Sequence, residues 1–362
     1  MSEVLEARID APQPDRLKAG GDGGNLLAIH LMGLLLTLVT LGIYRFWWRT
    51  NVRRYLWSSL SYKGDPFEYT GRGLELFVGF LIVLVLVVAP LMGVYFFGYY
   101  LLKSGDLLVG GTIMGGTYLV MFALFGAAIY RVMTYRLSRT KWRGIRAALG
   151  GSAFKYTGLY MLSLLLQVLT VGLATPFVTI MVYRYILNNV WFGSGRLTFD
   201  ADWKPLFKYY IGPGILRLVA LVIMGFAIYQ INQASGQGDA AERAAVLQGL
   251  GTIGIGLLVL LMSAIAMYWY WAAVIRTIFA GMEFEGVRFA APVTGGRYAK
   301  FMIVNFLLVV FTQYIAYPWV QLRILRFAAS NIEIHGEPDF TKISQNTALQ
   351  PRFGEGLGEA FL

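Results

Sequence analysis

Three arginines, Arg54, Arg184 and Arg326, recur along the chain, each followed by an aromatic residue, Tyr55, Tyr185 and Phe327. A guanidinium grips phosphate or carboxylate with paired hydrogen bonds, so matched arginines could converge on an anionic substrate or a lipid headgroup. The same residues would serve equally as anchors in the headgroup layer, where they set helix depth. Arg217 stands apart, because it lies well inside an apolar run, just after Ile211, Gly212, Pro213 and Gly214. An ionisable side chain at such depth is a functional candidate by default, and it is expected to point into the protein. Snorkelling, or a carbonyl freed by Pro213, accounts for it without any function. His30, inside the first apolar run, could relay protons or merely pack, hydrogen-bonded, between helices. These five residues are the candidate contacts for a substrate or lipid.

Other chemistry has little to stand on. The chain has no cysteine and only two histidines, His30 and His335, which removes thiolate nucleophiles, disulfides and His- or Cys-built metal centres. No Ser–His–Asp grouping, paired intramembrane carboxylates or phosphate-cradling turn is present, so neither catalytic residues nor a cofactor is expected. The chain is not read as an enzyme. Asp65, Glu68 and Glu75 are expected to pair with neighbouring arginines. Gln167, Asn305 and Gln313 suit hydrogen bonds between helices.

The elements that would position these residues follow from composition. With 57% hydrophobic and only 14% charged residues, and several apolar runs long enough to span a bilayer, the chain is a polytopic membrane protein. Its net charge of +11 belongs on cytoplasmic edges facing anionic lipid headgroups rather than on nucleic acid. An apolar run over about 25–39 is too short to span, and breaks at Gly42. It restarts as an aromatic segment in which Arg45, Arg49 and Arg53 fall every fourth residue, forming one basic stripe on a helix. The unit recurs at 155–187 and 299–327, with Thr40, Thr170 and Thr312 aligned and Pro176 and Pro318 at the later breaks. Long apolar runs follow the first two copies.

The expected fold is therefore all-α: an internally repeated helical bundle with broken helices and short cytoplasmic strand-turn elements. Gly64, Gly144, Gly286 and Gly336 would mark the turns, with Tyr62, Trp142, Phe284 and Ile334 packing those elements against the helices. The divisions are a polar N-terminal tail over 1–24, a first membrane repeat over 25–150, and a second over 151–297. A partial third repeat over 298–329 and a polar C-terminal tail over 330–362 complete the chain.

Thr40, Leu41, Gly42, Ile43 and Tyr44 with Trp47, followed by the run Phe67–Gly73 and the recurrence of both themes, resemble the YjgN-like bacterial inner-membrane proteins. The resemblance covers roughly residues 20–340. That family has no established activity, ligand or catalytic residue, so the resemblance implies location and architecture only. The second copy departs from it, with Thr198, Phe199 and Asp200 where the first has Glu68, Tyr69 and Thr70.

The links at 103–106 and 231–245 are poor in basic residues, whereas every other connection is rich in them. The positive-inside bias places these two links outside and the N-terminus in the cytoplasm. Each broken helix must then begin and end on one side, as a re-entrant hairpin; the competing arrangement is a single kinked span. Transport or permeation of a small anionic solute or lipid is the leading expectation. A non-transporting scaffold or assembly factor is the alternative, and oligomeric state is not legible.

Overall fold

The computed structural model describes residues 14–234, 239–337 and Ser344. Most of both polar tails therefore lies outside the described residues. Ten helices are described, joined in five successive hairpins. Short and long hairpins alternate: α1 (Gly23–Val39) with α2 (Arg45–Ser58), then α3 (Gly73–Lys103) with α4 (Leu107–Ser138). Next come α5 (Ala153–Leu169) with α6 (Thr175–Leu187), and α7 (Lys204–Ala234) with α8 (Asp239–Ala280). The last short hairpin is α9 (Gly295–Phe311) with α10 (Tyr317–Asn331). Among the described residues, α3, α4, α7 and α8 are long and apolar enough to cross a bilayer.

One local chemistry turns the chain in all three short hairpins. Thr40, Thr170 and Thr312 end the first helix, and each donates its hydroxyl to the carbonyl four residues back. The same oxygens accept the amides of Tyr44, Ala174 and Ala316 at 2.9, 2.9 and 3.0 Å, which starts the second helix. Between them two residues adopt positive φ: Leu41 and Gly42, Val171 and Gly172, Gln313 and Tyr314. A left-handed residue closes a helix by returning its amide to an orphan carbonyl, as Gly42 does to Thr37 at 2.7 Å. Tyr314, at φ +70°, holds this conformation without the freedom of glycine. At the open end of the first two hairpins a tyrosine ties the second helix to the start of the first. Tyr55 donates to the Asp22 carbonyl and accepts its amide, and Tyr185 does both with Ser152. The two ends of each of these hairpins therefore lie side by side.

Every hairpin stands on strands. In chain order they are β1 (Asp15–Arg16), β2 (Lys18–Ala19), β3 (Leu60–Tyr62), β4 (Asp65–Tyr69), β5 (Thr140–Trp142) and β6 (Ile145–Leu149). Then come β7 (Val190–Phe192), β8 (Gly195–Phe199), β9 (Met282–Phe284), β10 (Val287–Ala290) and β11 (Glu333–His335). The strands form one antiparallel sheet, ordered β1-β11-β10-β9-β8-β7-β6-β5-β4-β3-β2. Because β1 and β2 are separated by Leu17 alone, the N-terminal segment joins both ends of the sheet into a nearly closed barrel.

This overturns the all-α expectation. The strand-turn pieces are not appendages packed on helices. They pair with one another across the chain, Phe67 opposite Trp142 and Leu197 opposite Phe284. Tyr62, Trp142, Val287 and Ile334 point inward and pack together, with Phe67, Phe192 and Leu17 beside them. Outward positions carry Glu68 opposite Lys141, Lys141 opposite Arg146, and Arg288 opposite Glu283. An apolar lumen with a charged exterior is the inverse of a membrane-spanning barrel, so this barrel stands in water. Its lumen keeps an apolar cavity of about 350 Å³. Burial and the nearby Asp15 carboxylate push the Tyr62 phenol above its ordinary value, across the closure between β1 and β3.

Candidate functional site

Closure of the barrel sets two short hairpins beside each other. Going round the ring, α3–α4 and α7–α8 separate the short hairpins, but none stands between α9–α10 and α1–α2. Contact at this seam is tight near the barrel. Leu26, Val52 and Leu322 are buried together, and Gly23 lies against the Trp319 indole so closely that a Cβ would overlap it.

Further from the barrel the seam opens. At the second short hairpin, the long helix α4 fills the corresponding flank: Tyr160 sits on Gly126, while Tyr130, Met133 and Leu137 pack with Tyr156, Val182 and Ile186. At the first short hairpin that flank meets α10, which begins only at Tyr317. The Tyr317 ring stands edge-on to His30 at 5.9 Å, and the turn of the third hairpin lies beyond it. A short helix cannot fill the length that a long one does. What remains is a cavity of about 880 Å³.

Three elements line it. Leu27, His30, Leu31 and Leu34 come from one face of α1. The spacing of Arg45, Trp48, Arg49, Val52, Arg53 and Leu56 places them on one face of α2. Gln313, Tyr314, Ile315, Tyr317 and Gln321 close it from the third hairpin. All three arginines are partly buried. Arg45 lies over the Phe46 and Phe80 rings at 5.0 and 5.6 Å, and Arg53 lies over Tyr69 at 5.9 Å, which holds the planar groups in place. In the wall, the buried Trp48 Nε1 and Gln321 side-chain oxygen have no hydrogen-bond partner among the described residues. His30 donates from Nδ1 to the Leu26 carbonyl at 2.9 Å and meets the Trp48 ring edge-on at 5.6 Å.

Of the five candidates read from the sequence, His30 lines this cavity. Arg54, Arg184 and Arg326 do not converge. Each is exposed, and each bonds a carbonyl in a strand-to-helix loop: Arg54 to Gly71, Arg184 to Ala201, Arg326 to Gly21. They tie each short hairpin to the next sector of the ring, the last across the closure. Arg217 lies on α7, is partly buried, and has neither ion pair nor hydrogen bond among the described residues. It does not line this cavity. Sequence reasoning placed Arg45, Arg49 and Arg53 on one stripe but not among the candidate contacts. Trp48 and Gln321 gave no sequence signal, because the closure that joins their hairpins is invisible in the chain. No cluster of three or more His, Cys, Asp or Glu side chains that could hold a metal ion occurs among the described residues.

The family model described as bacterial protein of unknown function (DUF898) matches residues 15–360. The chain is 22% identical to the inner membrane protein YjgN of Salmonella typhimurium, over 373 aligned positions covering 90% of each chain. No solved structure matches it.

Proposed function

The chain belongs to the DUF898 family of bacterial proteins of unknown function, and from that premise we propose that it binds a small anionic solute or lipid in the seam cavity and carries it into or across the inner membrane. The observation that carries this reading is the row of Arg45, Arg49 and Arg53, one helical turn apart, along an open cavity of about 880 Å³. Ligand sites are commonly about 300–1,000 Å³. Three guanidinium groups along one wall give the cavity a positive face, which suits an anionic ligand.

The surrounding architecture supports the reading. Basic residues gather where helices meet the barrel: Arg72, Arg131, Arg136, Lys155, Lys204, Lys208, Arg297 and Lys300. On the positive-inside rule, this collar and the barrel face the cytoplasm, together with the N-terminus. The collar then lies against anionic lipid headgroups. Both ends of each short hairpin lead to the barrel, so these hairpins enter the bilayer and return, while the two long pairs span it. Helices of 17 and 14 residues reach roughly 25 and 21 Å into a hydrocarbon core of about 30 Å. The recurring threonine turn favours two full repeats, 25–150 and 151–297, and a partial third, 298–329.

The test is uptake of labelled inorganic phosphate and glycerol 3-phosphate, and transfer of a fluorescent anionic phospholipid, by proteoliposomes holding the full chain. Arg49→Gln should lower binding and movement of the active probe at least tenfold, with helical content and melting temperature retained. Arg49→Lys should keep part of it. Equal activity in Arg49→Gln and the wild type would overturn the reading.

A further inference from the structure

Independently of the seam, we infer that the barrel lumen is a second binding site, and that its ligand is a single alkyl chain, that of a fatty acid or of a lysophospholipid. The lumen is wider than its side chains can fill. Barrels of about eight strands are just filled by their interior side chains, or hold one small ligand. Here the ring has eleven strands, and it still exceeds that number with β1 and β2 counted as one. Each helical hairpin inserts between two strands, so the number of hairpins sets the circumference. Side chains as large as Trp142, Phe192, Phe284 and Phe289 face the interior, and a cavity of about 350 Å³ remains among them.

The chemistry of the wall selects the class of ligand. Of the lining residues, only Tyr62 and Trp142 carry a side-chain O–H or N–H, and both groups are engaged. Tyr62 donates to the Asp15 carboxylate at 3.3 Å, and Trp142 Nε1 to the Asp65 carbonyl at 3.2 Å. A buried water needs about two to four polar partners, and an apolar cavity of even about 150 Å³ stays dry and takes up apolar molecules instead. A polar ligand would shed its hydration here and find no hydrogen bond in exchange. The shape selects further, because the lining runs the whole height of the barrel. Val190 and Met282 open β7 and β9 beside the helices, whereas Phe192 and Phe284 close the same strands beside the turns. Three residues of strand cover roughly 10 Å. Phe279 in α8 and Ile332 just after α10 extend the wall to the helix ends, on the side from which acyl chains come. A cavity drawn out along the axis suits an extended chain, whereas a compact apolar molecule would leave part of its length bare.

The experiment places the full chain in phosphatidylcholine nanodiscs, free of alkyl detergent, with a palmitate that carries a photoreactive diazirine on its chain. Labelled positions are located by mass spectrometry of the peptides. Saturable labelling is expected within 190–199 and 282–290, displaced at least tenfold better by unlabelled palmitate than by naphthalene. Displacement by palmitate but not by lysophosphatidylglycerol identifies a free fatty acid as the source, and displacement by both a chain that arrives on a membrane lipid; either result supports the assignment. Val190→Phe and Ile332→Phe, which fill the lumen, should each lower that labelling at least tenfold with the melting temperature kept or raised, and one serves if the other unfolds. Labelling confined to the long apolar helices, or lumen labelling that does not saturate, would overturn the assignment. So would displacement by naphthalene as strong as by palmitate, because the lumen would then not select a chain. Binding seen only after residues 345–362 are removed overturns it too, since the protein's own segment would be the occupant. None of these outcomes touches the anion tests at Arg49, so the two sites stand or fall separately.

Discussion

At the scale of single residues, the threonine that ends each short first helix does two jobs with one oxygen. Thr170 donates to Leu166 at 2.7 Å and accepts from Ala174 at 2.9 Å, so its removal leaves an amide unpaired at a helix start. Caps of this kind are worth about 1 kcal/mol, with a range of 0.5–2. Thr170→Ala should lower the midpoint of thermal unfolding in detergent by that equivalent, and Thr170→Ser should restore it. An unchanged midpoint in Thr170→Ala would mean that water or lipid replaces the bond. The alignment of Thr40, Thr170 and Thr312 was legible in the chain, because a turn is specified by residues close in sequence. The role of Trp48 was not, since its environment depends on Tyr317 and Gln321 from the far end of the chain.

At the scale of elements, the helical hairpins and the strands were unequally legible. Long apolar periods announce α3, α4, α7 and α8. The strands are three to five residues long apart from the two-residue β1 and β2, and too short to carry a period of their own. Their turns were visible at Gly64, Gly144 and Gly286, where φ is +91°, +77° and +80°. Their partners were not, because a strand such as β4 pairs with β5 across an entire membrane hairpin. The same arrangement makes a sharp claim about sidedness. Cysteines introduced at Ser58, Ser194 and Ser330, beside the barrel, should resist an impermeant external thiol reagent in intact cells. One at Ser104, between α3 and α4, should react. Labelling at Ser194 but not at Ser58 would mean that the short hairpins cross the bilayer after all.

At the scale of the whole molecule, the fold is a ring, and the ring depends on its smallest strands. Leu17 turns into the lumen between two strands of two residues each, one pairing with β11 and the other with β3. Leu17→Asp would set a carboxylate among Tyr62, Trp142 and Ile334, and an uncompensated buried charge costs roughly 3–5 kcal/mol. That substitution should open the closure and expose the barrel to limited proteolysis. Lys18→Ser, on the outer face, should stay within about 0.5 kcal/mol of the wild type. Equal protease resistance in the two variants would show that the barrel does not need its N-terminal strand. The expected polar tail was the place to look for this strand, and nothing in Asp15–Ala19 distinguishes a tail from an edge until the sheet is known.

Ring closure also has a timetable. Arg16 and its partner Glu333 are 317 positions apart, so one flank of the barrel is synthesised 317 residues ahead of the other. At about 5–20 residues per second, the first strand waits on the order of 15–60 s for its neighbour. Throughout that interval the four helices long and apolar enough to cross a membrane are made while an unpaired strand edge and a half-built aromatic lumen stand open. Such edges recruit other chains. The charged outer face and the two-residue length of β1 are what the nascent protein has against that hazard, and its yield in the cell should depend on how fast the last hairpin arrives.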